Sequence, residues 1–452
     1  MYNKIHRIHL IGIGGIGVSG IAELLQTHGY TVTGSDLRES DTVRRLRSLG
    51  IQVFLGHQAE NVVGAELVVY SSAVGPNNPE LSYARELGLP TIRRAEMLAE
   101  LMRLKHGIAV AGAHGKTTTT SMIALILLQA ELDPTIIVGG RMDNIGGTNA
   151  RMGMGKFLVT EADESDGSFN KLAPSIAVVT NMDREHMEYY QTMRKLKRSF
   201  LSFLNKVPFY GLSVFNGDDP YLQLLRRRVT RRKVTFGKKP KNDYCIRQYS
   251  VTPGGTESLI RIGNGEQRLK LRVPGIHNLY NALAALAVAD ELAIPRSVSS
   301  EALYAYTGVQ RRFQEKGKRD GVLFIDDYAH HPTEIRMTLA AARERFPGAK
   351  IRAVFQPHRF SRVEDLFDEF SECFKDSDAV CVTDIYAAGE VNAQGLHAEL
   401  LVENMHRRGI TQASYVKSPL DGIACLSAQS QAGDVILTLG AGDIPSVYRE
   451  LF

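Results

Sequence analysis

Short apolar segments that are typical of buried strands recur along this chain, and most of them are followed by a turn and a helical stretch. The first segment, residues 8–11, leads through a glycine-rich turn and a helix-like stretch to a second strand at residues 31–34. Two strands joined by a helical crossover form a parallel βαβ unit, because the crossover returns the chain to the same edge. The pattern therefore predicts an α/β fold built on parallel sheets.

This pattern of strand, turn and helix restarts twice along the chain, which predicts three domains. A chain of 452 residues exceeds one ordinary core, since domains hold roughly 100–200 residues. Predicted strands at residues 107–111, 157–160 and 176–179 and helices at 116–129 and 277–293 form the central unit. Strands at 322–325, 351–354, 379–382 and 435–438 follow a polar stretch. We predict domains at residues 1–103, 104–314 and 315–452.

Composition narrows the class of protein. Hydrophobic residues make up 44% and charged residues 23%, which is ordinary for a globular enzyme. The sequence has no apolar run of the roughly 20 residues that a membrane helix needs, and its start leads directly into a strand. The four cysteines form no CxxC pair, which argues against a cysteine zinc site. We expect a cytoplasmic protein without membrane insertion. The excess of 54 basic over 49 acidic residues is small, and we expect no nucleic-acid partner.

The first glycine turn matches the pattern G-x-G-x-x-G at Gly12, Gly14 and Gly17. Missing side chains let backbone N–H groups and a helix start approach a diphosphate. Asp36 follows about 20 residues later, where it could accept a ribose hydroxyl. These features alone favour NAD, and hence an NAD-dependent dehydrogenase, but a UDP diphosphate needs the same backbone cradle.

A second glycine-containing turn follows the predicted strand 107–111 and opens the predicted helix 116–129, as a phosphate-binding loop requires. Val110 occupies the position of the first glycine in the full P-loop pattern. Lys116 and backbone N–H groups can hold β- and γ-phosphate oxygens, and the Thr117 hydroxyl can ligate Mg²⁺. The residues predicted to bind the nucleotide are Gly112, Ala113, His114, Gly115, Lys116, Thr117 and Thr118.

Acidic residues and a histidine follow the next two predicted strands. Residues 161–166 read Glu-Ala-Asp-Glu-Ser-Asp, and residues 181–186 end in His186. The carboxyl ends of parallel strands meet at one edge of a sheet, where the phosphate loop also lies. Glu161 and His186 are therefore predicted metal ligands, together with Thr117.

Several motifs in order along the chain resemble those of the Mur ligases. They are the loop 112–118, the acidic stretch 161–166, Thr180-Asn181-x-Asp183-x-x-His186-Met187, Gly275-x-His277-Asn278-x-x-Asn281-Ala282, and the stretches 326–334, 355–359 and 386–390. The resemblance spans essentially the whole chain. It implies a Rossmann-like UDP-binding domain, a central P-loop ATPase-like domain and a Rossmann-like C-terminal domain that binds the amino acid.

The resemblance also implies an activity in peptidoglycan synthesis. ATP would convert the carboxylate of UDP-N-acetylmuramate into an acyl phosphate, which L-alanine attacks to give the amide, ADP and phosphate. The implied small-molecule partners are UDP-N-acetylmuramate, L-alanine and ATP, with Mg²⁺ or Mn²⁺ as the metal. We expect a monomer or a homodimer.

Residue roles follow from the matched motifs. Lys116, Glu161, His186, Arg312 and His330 are the implied catalytic residues. Arg312 would reach the γ-phosphate, and His277 and Asn278 would flank the adenine, with Asp327 as a further nucleotide contact. The implied UDP-sugar residues are Gly14, Gly15, Ile16, Gly17, Asp36, Ser71 and Ser72, and the implied amino-acid or substrate residues are Tyr328, His330, Arg359 and Arg362.

Two alternatives stay open at this point. A related Mur ligase, such as the recycling enzyme that attaches a preformed tripeptide to the same sugar nucleotide, shares most of these motifs. An NAD-dependent dehydrogenase would account for the first glycine turn and Asp36, but it leaves Lys116, Thr117 and Glu161 without a role.

Overall fold

The structure is a computed structural model that describes residues 5–71, 73–142, 147–252 and 254–452, without the side chains of residues 16 and 141. The chain packs as two compact units. One unit runs through residue 248 and adds residues 259–269 and 280–306, and the other contains residues 249–258, 270–279 and 307–452.

The first sheet is the amino-terminal part of the first unit. Its five strands lie in the order β3-β2-β1-β4-β5, and all neighbours are parallel. The central position of β1 places the loop after it between the ends of β2 and β4. The strands are β1 (Arg7–Ile11), β2 (Thr31–Asp36), β3 (Gln52–Leu55), β4 (Leu67–Tyr70) and β5 (Thr91–Arg93), and the helices are α1 (Ile16–Thr27), α2 (Asp41–Ser48), α3 (Pro79–Glu86) and α4 (Arg94–Arg103).

The second sheet has ten strands, with β6 between β10 and β9 in the order β15-β14-β13-β12-β11-β10-β6-β9-β7-β8. The strands are β6 (His106–Ala111), β7 (Thr135–Met142), β8 (Thr148–Arg151), β9 (Phe157–Glu161), β10 (Ile176–Val179), β11 (Leu212–Asn216), β12 (Lys233–Gly237), β13 (Tyr244–Thr252), β14 (Gly255–Ile262) and β15 (Gly265–Leu271). The helices are α5 (Lys116–Gln129), α6 (Met187–Tyr190), α7 (Met193–Asn205), α8 (Pro220–Leu225), α9 (Ile276–Glu291) and α10 (Arg296–Ala305). Strands β6, β9 and β10 are parallel, so their carboxyl ends share one edge.

Helix α1 packs against strands β7 and β8, so the first sheet and the second sheet share a core. Gly20 makes this approach possible, since a Cβ at that position would lie 2.9 Å from the Cβ of Ala150. One apolar cluster contains residues of both sheets, among them Leu10 and Ala109. The glycine loop at the start of α1 is thereby fixed relative to the second sheet.

The third sheet belongs to the second unit and has the order β16-β17-β21-β18-β19-β20. Its strands are β16 (Gln314–Arg319), β17 (Val322–Asp327), β18 (Ile351–Phe355), β19 (Ala379–Val382), β20 (Ala413–Tyr415) and β21 (Val435–Leu439). The helices are α11 (Pro332–Arg345), α12 (Phe360–Asp365), α13 (Phe367–Phe370), α14 (Ala398–Arg407), α15 (Pro419–Ala428) and α16 (Tyr448–Leu451). Ile325 and Ala353 belong to one apolar cluster and Phe324 and Val354 to another, because successive strand residues face opposite sides. Both faces of this sheet are therefore buried.

The predicted α/β class is confirmed, and several predicted elements agree closely with the structure. The predicted helix at residues 116–129 and the strands at 176–179 and 379–382 have the observed bounds. Strands β7 and β8 and the run from β13 to β15 were not predicted. The predicted domain boundaries after residues 103 and 314 stay predictions. None of the helices within the described residues combines the length and apolar composition that a membrane span needs.

Candidate active site

The loop between β6 and α5 is shaped for a phosphate group. Gly112 has a φ of +133°, and a Cβ there would lie 2.1 Å from the Thr180 Oγ1. Gly115 has a φ of +80° and precedes the first residue of α5, whose first turn has no acidic side chain. A side chain at either glycine would therefore change the loop. Free N–H groups at a helix start attract anions, which suits the polyphosphate that the sequence predicts for Gly112 to Thr118.

Residues after β10 hold this loop in shape. Asn181 Oδ1 accepts a hydrogen bond from the His114 N–H at 2.9 Å, and Asn181 Nδ2 donates to the His114 carbonyl at 2.9 Å. The Thr180 hydroxyl donates to the same carbonyl at 2.6 Å, and the Asp183 carboxylate lies 3.0 Å from His114 Nε2. The motif that begins Thr180-Asn181-x-Asp183 therefore supports the loop.

Lys116 is largely buried beside Glu164. Its ammonium donates to Glu164 Oε1 and to the Gly112 carbonyl, both at 2.7 Å, and to the Ala113 carbonyl at 3.3 Å. Burial alone would lower the pKa of Lys116, but the charges of Glu164 and Asp163 outweigh it and raise the pKa. The lysine is therefore a fixed positive charge within the loop, as a phosphate-binding role requires.

His186 forms a candidate cation site with Glu164 and Glu185, whose potential ligand atoms all lie within 4.8 Å of one another. His186 has the left-handed φ of +58°, which few non-glycine residues adopt outside constrained sites. Within the described residues, Glu164 Oε2 is buried and has no hydrogen-bond partner. The two carboxylates suit Mg²⁺ or Mn²⁺, whereas an imidazole is a ligand that softer divalent ions prefer, so the carboxylates carry the fit to the predicted metal.

Glu161 and Thr117, the other two predicted ligands, lie at the same edge of the sheet. Glu161 ends β9, and its Oε1 accepts a hydrogen bond from the Gly139 N–H at 2.6 Å. Thr117 is the second residue of α5. The structure thus groups His186 with Glu164 and Glu185 and ties Glu161 to strand β7. The predicted metal set of Thr117, Glu161 and His186 stays a prediction.

The first glycine loop is braced by the ends of the neighbouring strands. Asp36, at the end of β2, accepts a hydrogen bond from the Gly14 N–H at 2.8 Å. The N–H groups of Gly12 and Ile13 donate to the Ser35 carbonyl at 2.8 and 3.0 Å. Asp36 therefore uses its carboxylate to order the loop. A dinucleotide site would offer that carboxylate to a ribose hydroxyl, so this contact weakens the argument for NAD.

The other predicted UDP-sugar residues lie around this loop. Gly15 precedes α1, and Ile16 and Gly17 are its first residues. Ser71 follows β4 beside Gly12, since a Cβ on Gly12 would lie 3.4 Å from the Ser71 Cβ. Ser72 lies outside the described residues.

Asp327, Arg312 and Glu334 form a polar cluster at the end of β17 in the second unit. Asp327 accepts hydrogen bonds from the Phe313 and Ala329 N–H groups at 2.7 and 2.8 Å. Burial raises the pKa of Asp327 to about 6, although Arg312 opposes the shift. Arg312 contacts Glu334 at 3.4 Å. Glu334, to which the sequence reasoning gave no role, contacts both Arg312 and His330.

Tyr328 and His330, the residues predicted to line the amino-acid pocket, lie together after β17, and that role stays a prediction. Their ring centroids are 5.2 Å apart, and the Arg312 guanidinium lies 5.3 Å from the Tyr328 ring centroid. His330 Nδ1 is 3.0 Å from the Tyr328 carbonyl and 3.3 Å from a Glu334 oxygen. These contacts fix the histidine ring beside a carboxylate.

Arg359 and Arg362 follow β18, whose carboxyl end lies at the same edge of the third sheet as that of β17. Arg362 Nη1 lies 3.1 Å from His358 Nδ1, and burial together with Arg362 lowers the pKa of His358 to about 3. The Tyr386 ring stacks on the His358 ring, with the two ring centroids 5.6 Å apart. Arg359 has a φ of +68°, and its Nε is buried without a hydrogen-bond partner among the described residues. An unpaired buried donor suits a carboxylate ligand.

His277 and Asn278 lie in the first turn of α9. The Asn278 side chain is buried and donates to the Pro274 carbonyl at 2.7 Å, so part of its hydrogen bonding holds the helix start. Burial lowers the pKa of His277 to about 4, and the charge of Arg312 adds to this shift. His277 is therefore neutral at physiological pH. Its predicted role at the adenine stays a prediction.

Comparison with known proteins identifies the family of this chain. Sequence profiles of three Mur ligase domains match in order: the "Mur ligase family, catalytic domain" at residues 7–106, the "Mur ligase middle domain" at 110–289 and the "Mur ligase, glutamate ligase domain" at 311–442. A UDP-N-acetylmuramate–L-alanine ligase of Sorangium cellulosum is 51% identical over 96% of this chain and 93% of the relative. The chain belongs to the Mur ligase family. Another ligase of that name, from Syntrophotalea carbinolica, is 50% identical over 98% of this chain and 97% of its own.

Solved structures of Mur ligases have the same fold. The UDP-N-acetylmuramate-alanine ligase MurC of Thermotoga maritima matches with a TM-score of 0.83 and 32% identity, over 98% of this chain and 97% of that one. A murein peptide ligase of Psychrobacter arcticus matches with a TM-score of 0.72 at 23% identity, which supports the fold alone. The predicted family, fold class and enzyme class are confirmed. This Mur ligase is an ATP-dependent amide-bond ligase that acts on small molecules.

Proposed function

We propose that this Mur ligase joins L-alanine to the carboxylate of UDP-N-acetylmuramate, in peptidoglycan synthesis. The observation that carries the proposal is the buried Lys116 in the loop between β6 and α5, beside Glu164 and His186. Its surroundings suit transfer of a phosphoryl group. The names of the relatives that are about half identical over nearly the whole chain support the choice of sugar nucleotide and amino acid.

The reaction begins with activation of the carboxylate. A carboxylate resists an amine because its carbonyl is electron-rich and oxide is a poor leaving group. A carboxylate oxygen attacks the γ-phosphorus of ATP, the bond to the β-phosphate oxygen breaks, and ADP leaves. Lys116 would neutralise charge on the transferred group, and the backbone N–H groups from Gly112 to Thr118 would hold the phosphates. Arg312 is our candidate for a further γ-phosphate contact.

Amide formation follows from the acyl phosphate. The L-alanine amine attacks the carbonyl carbon, and the tetrahedral intermediate expels phosphate with the former carboxylate oxygen. Tyr328 and His330 would line the amino-acid pocket, and Arg359 and Arg362 would bind the alanine carboxylate. Most of the rate enhancement would come from positioning and charge neutralisation. The His330 contact with Glu334 orients the ring.

A divalent cation would complete the phosphate site. His186, Glu164 and Glu185 offer one donor set, and Thr117 and Glu161 are the remaining candidate ligands at the same edge of the sheet. Bound there, Mg²⁺ or Mn²⁺ would neutralise phosphate charge. A metal-bound His186 stays neutral, so it would not act as a free general base.

The choice of amino acid separates the proposal from its nearest alternative. We expect phosphate release from ATP and UDP-N-acetylmuramate to require L-alanine and to proceed poorly with a preformed L-alanyl-γ-D-glutamyl-diaminopimelate tripeptide. Measuring phosphate release with each acceptor, with serine and glycine alongside, tests this. Faster release with the tripeptide would identify a recycling ligase instead.

A further inference from the structure

Arg94 lies between the first glycine loop and the acidic stretch of the second sheet, all within the first unit. It is the first residue of α4 and directly follows β5. Its guanidinium covers Gly17, since a Cβ on that glycine would lie 2.9 Å from Arg94 Nη1 and 3.3 Å from its Cζ. A side chain at Gly17 would therefore displace the Arg94 guanidinium.

The other side of the guanidinium faces Asp163. Arg94 Nη2 lies 3.5 Å from Asp163 Oδ2. Asp163 is the chain neighbour of Glu164, which binds Lys116. A ligand held by Arg94 would thus lie between the loop proposed to bind the sugar nucleotide and the residues proposed to hold the transferred phosphoryl group.

Arg94 is held in place with most of its donors available. A guanidinium carries five N–H donors in a planar fork that matches a carboxylate. In the part of the chain that the structure describes, this guanidinium makes the ion pair with Asp163 and no hydrogen bond. The side chain is 21% exposed, so a ligand can reach it while water is largely excluded.

We propose that Arg94 binds the lactoyl carboxylate of UDP-N-acetylmuramate and presents it to the γ-phosphate. This inference rests on the proposed function. The sugar nucleotide has two anionic parts, the diphosphate and the carboxylate, and only the carboxylate has to reach the phosphoryl group. The N–H donors that the ion pair with Asp163 leaves unused suit that carboxylate. Its charge also reduces the repulsion between the carboxylate and the triphosphate, which in water alone keeps such anions apart.

Binding of two sugar nucleotides tests the assignment. UDP-N-acetylglucosamine has the same nucleotide, diphosphate and N-acetyl sugar, but it lacks the lactoyl carboxylate. Arg94→Ala should weaken UDP-N-acetylmuramate binding by about 10- to 100-fold, the range for a charged hydrogen-bonded pair, and change UDP-N-acetylglucosamine binding less than twofold. Arg94→Lys should recover only part of the loss. Arg103→Ala, at the exposed end of the same helix, is the matched control and should change neither.

Gly17→Ala gives a second route to the same conclusion. The added Cβ displaces the guanidinium, so the preference for the muramate over the glucosamine nucleotide should fall. In the Arg94→Ala background it should fall no further, because the group that the Cβ displaces is gone. Independent effects on the preference in the double variant would overturn the assignment.

Calorimetric titration of the folded full-length variants measures these affinities. If Arg94→Ala lost affinity equally for both nucleotides, as a diphosphate contact or a purely structural role predicts, the inference would be overturned. Unchanged affinity for both nucleotides would overturn it as well. The proposed function is judged separately by amide formation in the wild-type enzyme. An enzyme that makes the amide while Arg94→Ala keeps its nucleotide preference would refute only the role of Arg94.

Discussion

At the scale of residues, buried charges mark the proposed active site. Lys116 contacts Glu164 and two carbonyls of its own loop, so its ammonium is already ordered before nucleotide binds. A phosphate would replace the carbonyl contacts with stronger ionic ones. The sequence indicated Lys116 by its motif, whereas the partner Glu164 could be identified only from the structure, because a strand-end position does not specify which acid turns inward.

Removing the lysine charge tests this site. Lys116→Ala should lower the turnover number by at least about 10³-fold, since the transferred phosphoryl group loses its main cationic contact. UDP-N-acetylmuramate affinity should stay within about twofold of wild type, which also shows that the variant is folded. Phosphate release and calorimetry give the two quantities. Lys171→Ala, which removes a partly exposed lysine paired with Glu96, is the control, and equal activity of the two variants would contradict the assignment.

His277 gives a prediction on pH. Its pKa is about 4 in the folded protein against about 6.5 when exposed, so the folded state favours the neutral ring. The stability from this preference is present above pH 6.5 and is lost as pH falls towards 4, by about 2 kcal/mol between pH 7 and pH 5. Urea midpoints at both pH values should show a smaller acid loss for His277→Asn than for wild type. Identical losses would show that His277 titrates normally.

At the scale of elements, the parallel order of β10, β6 and β9 brings the motifs together. The nucleotide loop follows the middle strand, Asn181 after β10 hydrogen-bonds to its backbone, and Glu164 after β9 accepts a hydrogen bond from Lys116. Another contact comes from α9, whose Asn281 Oδ1 accepts a hydrogen bond from the Thr119 hydroxyl at 3.1 Å. Motifs that are far apart in sequence therefore support one loop.

Asn181 tests this support. Asn181→Ala removes two hydrogen bonds to the His114 backbone, so the loop should become less ordered. The KM for ATP should rise about tenfold, at roughly 0.5–1.5 kcal/mol per lost hydrogen bond, with a smaller effect on the KM for UDP-N-acetylmuramate. Steady-state kinetics measures both. Asn205→Ala, which removes contacts to Thr230 and Arg228, should leave both constants unchanged, and an unchanged KM for ATP in Asn181→Ala would disprove the role.

At the scale of the whole molecule, the sequence predicted the α/β class and three successive units of strands and helices along the chain. Buried strands followed by glycine turns and helices carry strong local signals. It missed β13 to β15, strands of nine, eight and seven residues in which polar side chains interrupt the apolar ones, and the turn Gly263-Asn264-Gly265 was the available sign. It also missed the Arg94 contact with Gly17, since such a contact depends on how α1 and α4 pack. Local patterns predict elements, but pairings between distant residues need the packed structure.

Metal removal tests the cation site in the complete enzyme. We expect chelation by EDTA to abolish amide formation and added Mg²⁺ or Mn²⁺ to restore it, because the triphosphate charge would otherwise be only partly neutralised. His186→Ala should raise the Mg²⁺ concentration needed for half-maximal activity by about 10-fold or more. Activity that persists in EDTA would contradict a metal role, and an unchanged Mg²⁺ requirement in the variant would exclude His186 as a ligand.

The central claim is that ATP activates the carboxylate of the sugar nucleotide before the amine attacks. The most direct test uses UDP-N-acetylmuramate with ¹⁸O at both oxygens of the lactoyl carboxylate, together with ATP and L-alanine, and mass spectrometry of the products. An acyl-phosphate route predicts the L-alanyl amide and one ¹⁸O atom in each phosphate released. Amide formation with unlabelled phosphate, or no amide at all, would contradict the account.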